Sequence, residues 1–107
     1  MKLPAKIKVG YAAYSCEVWL GNKARGNLGE TDLVKHTMRI RLEDVALAEI
    51  ANTLLHEIFH AIYSVFHVKN SDLEEEVVAK MSTGFQCVLQ DNPALVKWLV
   101  EYLKRAP

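Results

Sequence analysis

The chain has 107 residues, 50% of them hydrophobic, enough for a single domain (residues 1–107) with a modest core. Its 13 basic and 13 acidic side chains cancel, so nothing in the charge balance points to nucleic acid or to an anionic membrane surface. Cys16 and Cys87 stand far apart in ordinary strand and helix patterns, which predicts two buried free thiols and no disulfide framework. The first residues hold no apolar run of signal-peptide length, and His and Glu interrupt the longest apolar helical pattern. A cytoplasmic protein without a membrane span is therefore expected.

In chain order, Lys6 to Gly10 alternates weakly and predicts a first strand. Tyr14 to Leu20, rich in aromatic and branched residues, predicts a second. Gly21 to Glu30, with Gly21, Gly26, Gly29, Asn22 and Asn27, reads as a turn-prone loop. His36 to Leu42 alternates cleanly, with Met38, Ile40 and Leu42 to one side and Thr37, Arg39 and Arg41 to the other. That is a half-buried strand with a charged outer face, suited to a sheet edge.

Asp44, or Glu43, can cap the next helix, which is expected to run to about Phe66. Ser71 to Glu74 has capping-box spacing and opens a second helix from about Asp72 to Leu89, with Val77, Val78, Met81, Phe85, Val88 and Leu89 on its core face. Asn92 is placed to cap a third helix with Pro93 in its first turn, burying Leu95, Trp98, Leu99, Tyr102 and Leu103. Strands first and helices after predict an α+β domain: a small antiparallel sheet of about three strands, then three helices.

The first of these helices carries His56-Glu57-Ile58-Phe59-His60. Two histidines four apart lie on one helical face with Cβ atoms about 5–6 Å apart and can close on one small cation, for which neutral imidazole and zinc are well matched. The carboxylate of Glu57, displaced around the axis, is suited to take a proton from a metal-bound water. At about 100° per residue, Leu47, Ile50, Ala51, Leu54, Leu55, Ile58, Ala61, Ile62 and Val65 share one broad arc. Glu49, Asn52, Thr53, His56, His60 and Tyr63 form the opposite stripe.

A catalytic zinc typically has three protein ligands and an open position. His67 follows His60 by two helical turns, about 10 Å of rise, and no glycine lies between to bend the chain back. His36 can line the cleft, but no spacing marks it as a ligand. The acidic start of the second helix is the better source. Glu75 flanks its apolar face and can reach across to the motif helix, whereas Glu74 is also the residue a Ser71 capping box would use. Glu75 is therefore the expected third ligand, with Glu74 as the alternative. Tyr63 or His36 can serve an oxyanion, and Tyr63 can equally be a packed residue with a wet hydroxyl.

The chain resembles small HExxH proteins of phages and prophages. The resemblance rests on Gly10-Tyr11, Leu28-Gly29-Glu30, Ile40-Arg41-Leu42, Thr53 to Ile62, Glu74 to Val78 and Gly84 to Pro93, and so spans nearly the whole chain. It implies a minimal gluzincin-like zincin fold, similar to the ImmA/IrrE-type metallopeptidases. Zinc would then be held by His56, His60 and a glutamate of the second helix, with Glu57 as general base. The interval from His60 to Glu75 is shorter than in larger gluzincins, and no Asp follows Glu75 by four residues.

The expected function is zinc-dependent peptide hydrolysis, with an extended peptide or protein substrate paired along the strand around His36 to Leu42. The alternative is a non-catalytic, metal-containing module that binds a phage or host protein. Neither substrate nor oligomeric state can be read from the residues.

Overall fold

Two stretches of inward-facing apolar residues, one at strand period and one at helix period, meet to form the core. The computed structural model describes residues 2–24, 26–69 and 73–105, with the backbone alone described for Lys23, Glu74 and Val78. The elements are β1 (Lys6–Val9), β2 (Ala12–Val18), the short α1 (Gly21–Ala24), β3 (Gly29–Asp32), β4 (Thr37–Ile40), α2 (Leu47–Val65), α3 (Glu74–Asp91) and α4 (Pro93–Arg105). Ile7, Val9, Tyr14, Met38 and Ile40 on the sheet are buried against Leu54, Ile58, Ala61 and Ile62 of α2. From the far side α3 contributes Val88, and α4 contributes Leu95, Trp98, Leu99 and Tyr102. Leu103, expected in this core, is 53% exposed.

The fold is α+β as expected, but the sheet has four strands in the order β1-β2-β4-β3 and is mixed. β1 and β2 form an antiparallel hairpin that pairs Val9 with Ala12. Gly10 begins its two-residue turn at φ 58°, and a Cβ there would lie 2.7 Å from Val65 Cγ1. Glycine is thus required both by the left-handed backbone and by the approach of α2. β2 and β4 run parallel, pairing Cys16 with Met38. The connection between them holds α1 and β3, and β3 returns antiparallel on the outer side of β4.

The strand expected at an edge, β4, is therefore interior, and β3 is the edge beside it. β3 falls partly in the stretch read as loop. Four residues including a glycine and two acids carry little strand preference of their own. Pairing with β4 and contact with α2 make the strand.

Several ends differ from their expected caps. Asp44 sits in a turn at φ 58°, and α2 starts after Ala46 with no side-chain cap. α3 starts after Leu73, also uncapped by a side chain; the expected capping box at Ser71 and Asp72 lies outside the described residues. At the end of α2, His67 takes φ 54°. Its N–H donates to the Ser64 carbonyl at 3.3 Å, and the Val68 N–H donates to the Tyr63 carbonyl at 3.0 Å. This is a Schellman ending with histidine at the position glycine usually fills. The chain reverses at His67 itself, which removes this residue from the motif face.

Asn92 precedes α4 as expected, but its side chain does something else. Its Oδ1 accepts from the Lys8 N–H at 2.8 Å, and its Nδ2 donates to the carbonyls of Lys8 at 2.8 Å and Val88 at 2.7 Å. One buried amide thus pairs with the free edge of β1 as a neighbouring strand would, tying the sheet to the α3–α4 corner. Cys16 and Cys87 are free, as expected, but half-buried and not fully enclosed. Burial pushes the Cys16 thiol up to about 11. No helix among the described residues is long and apolar enough to cross a membrane.

Asn92→Ala would remove the buried amide that pairs with the Lys8 N–H and carbonyl and with the Val88 carbonyl, and should lower stability in urea unfolding by about 1–3 kcal/mol. His67→Gly removes the left-handed strain at the end of α2, and should raise stability by about 0.5 kcal/mol after the added chain entropy of glycine is set against it.

Candidate metal centre

α2 turns its apolar arc to the core as its period requires, and His56 and His60 emerge on the exposed flank. Their Nε2 atoms are 3.1 Å apart, with ring centroids at 4.8 Å and planes inclined by 70°. Two nitrogens bound at about 2.0–2.1 Å to one tetrahedral zinc lie roughly 3.3 Å apart. The rings thus stand within a few tenths of an ångström of chelating separation. At this distance both Nε2 atoms cannot carry a proton, so at least one directs a lone pair into the space between them.

Glu57 lies farther around the axis, under β3, and is 6% exposed. The Thr31 hydroxyl donates to Glu57 Oε1 at 2.7 Å and lies 3.3 Å from the Glu57 carbonyl oxygen. Two residues earlier, a Cβ on Gly29 would stand 2.6 Å from Thr53 Cγ2, 3.1 Å from Glu57 Oε2 and 3.2 Å from Glu57 Cγ. At Gly29 and Thr31 the edge strand thus touches α2. This contact also buries Thr53, which was expected on the exposed stripe.

The site opens along both flanks of this contact. A hollow of about 350 Å³ is lined by Gly26 to Gly29, Glu49, Asn52, Thr53, His56 and Glu57. Another of about 360 Å³ is lined by Gly29, Glu30, Thr31, Leu33, His56, Glu57 and His60. Gly29, His56 and Glu57 belong to both, so the two form one cleft along β3. Toward α3, a smaller hollow of about 230 Å³ is walled by His56, Phe59, His60, Tyr63 and Met81.

The remaining candidates are dispersed. Glu75 lies on the first turn of α3 and is exposed. Among the described residues, no group of three His, Cys, Asp or Glu side chains is placed to hold one cation. Glu75 therefore does not join the imidazoles here, and the Glu74 side chain lies outside the described set. His36, at φ 55° in the β3–β4 turn, lays its ring against Tyr14 with centroids 4.9 Å apart. Tyr63 borders the smaller hollow at 36% exposure.

The residues missed in sequence are Gly29 and Thr31. Gly29 stands in the Leu28-Gly29-Glu30 stretch of the resemblance without a role assigned to it, and the alternation of both with Glu30 and Asp32 is too short a run to mark a strand. No known protein family, curated protein or solved structure matches the chain.

The spacing of the imidazoles predicts chelation of a divalent ion. Zinc or cobalt titration should show one site, and His56→Ala or His60→Ala should each weaken it by about 100-fold or more, as expected on losing a direct ligand.

Proposed function

We propose that this chain is a zinc-dependent metallopeptidase in which His56 and His60 hold the metal and Glu57 is the general base. The observation that carries the reading is the pair of Nε2 atoms 3.1 Å apart beside a buried carboxylate, in a cleft bordered by a sheet edge. Zinc held there would supply Lewis acidity toward a substrate carbonyl and lower the pKa of a bound water to about 7. The third donor in this reading is a carboxylate of the first turn of α3, Glu75 or its neighbour Glu74. Met81 of the same helix already borders both imidazoles, which supports α3 as the source.

The chain's own residues then divide the work. Glu57 takes the proton of the attacking water and returns it to the departing amine. Among the described residues no strand lies beside the outer edge of β3, so an extended peptide can add there by main-chain hydrogen bonds and lie along the cleft. This replaces the pairing along β4 expected from the sequence, because β4 is already paired on both sides. The resemblance to phage and prophage HExxH proteins agrees with this reading, with a peptide or protein as the substrate.

One observation favours the alternative, a metal-containing binding module that acts on a protein partner: only two donors converge among the described residues. Glu57→Gln separates the two readings. Hydrolysis predicts unchanged zinc content and cleavage reduced by about 10³-fold or more, within the range expected for loss of a general base. Full biological activity in that variant would instead favour the binding module. Glu75→Gln and Glu74→Gln, assayed by zinc titration, identify the third donor as the variant whose affinity falls. If neither changes, neither of these glutamates is the donor.

A further inference from the structure

We propose that Thr31 is a positioning residue that holds the Glu57 carboxylate away from the two imidazoles, and so keeps it a base instead of a third ligand. The inference rests on the metallopeptidase reading and adds to it the device that separates ligand from base. Glu57 and His60 are neighbours on the helix, about 60° apart around its axis, and both border the cleft under β3. A glutamate there has enough rotatable bonds to swing onto a cation held by His56 and His60. Nevertheless Glu57 forms no three-membered group with the two histidines.

What restrains it comes from β3. The Thr31 hydroxyl donates to Oε1 at 2.7 Å, a short O–H···O hydrogen bond. The bare backbone at Gly29 leaves a niche that Oε2 and Cγ occupy, with no room for a Cβ at ordinary contact distance. At 6% exposure, the carboxylate has little water to replace the hydroxyl if that bond is lost. With a cation held by His56 and His60, removing the hydroxyl would therefore leave the carboxylate free to turn toward it.

The test uses the full chain loaded with cobalt(II) alone, comparing wild type, Thr31→Val, Thr31→Ala, Thr31→Ser and Thr31→Val/Glu57→Gln. Visible absorption reads the coordination geometry, and titration reads the affinity. Both hydroxyl-less variants should shift the cobalt spectrum toward a higher coordination number and bind cobalt about 10-fold tighter, as for gain of one carboxylate ligand. Thr31→Ser, which keeps the donor, should match wild type, and Glu57→Gln in the valine background should cancel the shift. Wild-type spectra and affinity in both Thr31→Val and Thr31→Ala would overturn the inference, as would a shift that survives Glu57→Gln. Failure of wild type to bind cobalt at all would instead refute the metal reading, and this inference with it.

Discussion

The arrangement of the site depends on how closely β3 lies across α2. At Gly29 the strand backbone comes so near that an added Cβ would stand 2.6 Å from a Thr53 carbon, and two residues later Thr31 bonds the helix at Glu57. A four-residue strand has few main-chain bonds to contribute. Its placement therefore rests on its ladder with β4 and on this contact. The contact buries Glu57, leaves His56 and His60 outside, and opens a cleft on both sides. An ordinary amphipathic helix thereby presents two chemically distinct flanks, one with a buried carboxylate and one with two exposed imidazoles.

The rest of the chain holds that contact in place. β4 sits between β2 and β3 with Met38 and Ile40 fully buried against the core, so the inner surface on which α2 rests cannot slide without exposing them. At the opposite edge, the Asn92 amide occupies the free N–H and carbonyl of Lys8. One edge of the sheet is thus closed by a side chain, and the other is left for the cleft. On the solvent face, Arg39 reaches Glu30 at 3.0 Å and Glu17 at 3.4 Å. These half-exposed pairs fix little energetically, but they mark that face as the wet one.

The turns show how local chemistry yields to the larger fold. In the β3–β4 connection, Asp32 Oδ1 accepts from the Lys35 N–H at 2.9 Å and the Val34 N–H at 3.0 Å. These bonds hold the Asp32 carboxyl below its ordinary range and bring the chain round to His36 in a left-handed conformation. His67 ends α2 in the same conformation. Two of the four histidines are thus turn residues, at positions where composition alone marks them as candidate ligands.

What could be read from the residues was whatever repeats within a few positions. The 3.6-residue period put His56 and His60 together on one flank of α2 and its apolar arc in the core, and the alternation through Met38 and Ile40 gave the inner face of β4. These follow from backbone geometry that each segment carries by itself. The tertiary structure decided that Gly29 to Asp32 is a strand, that β4 is interior, that Asn92 pairs with β1 and that Glu57 answers to Thr31. Apart from the β3–β4 hairpin ladder, each of these is a hydrogen bond or close approach between segments distant in sequence, and its partner is set by packing and by no local pattern.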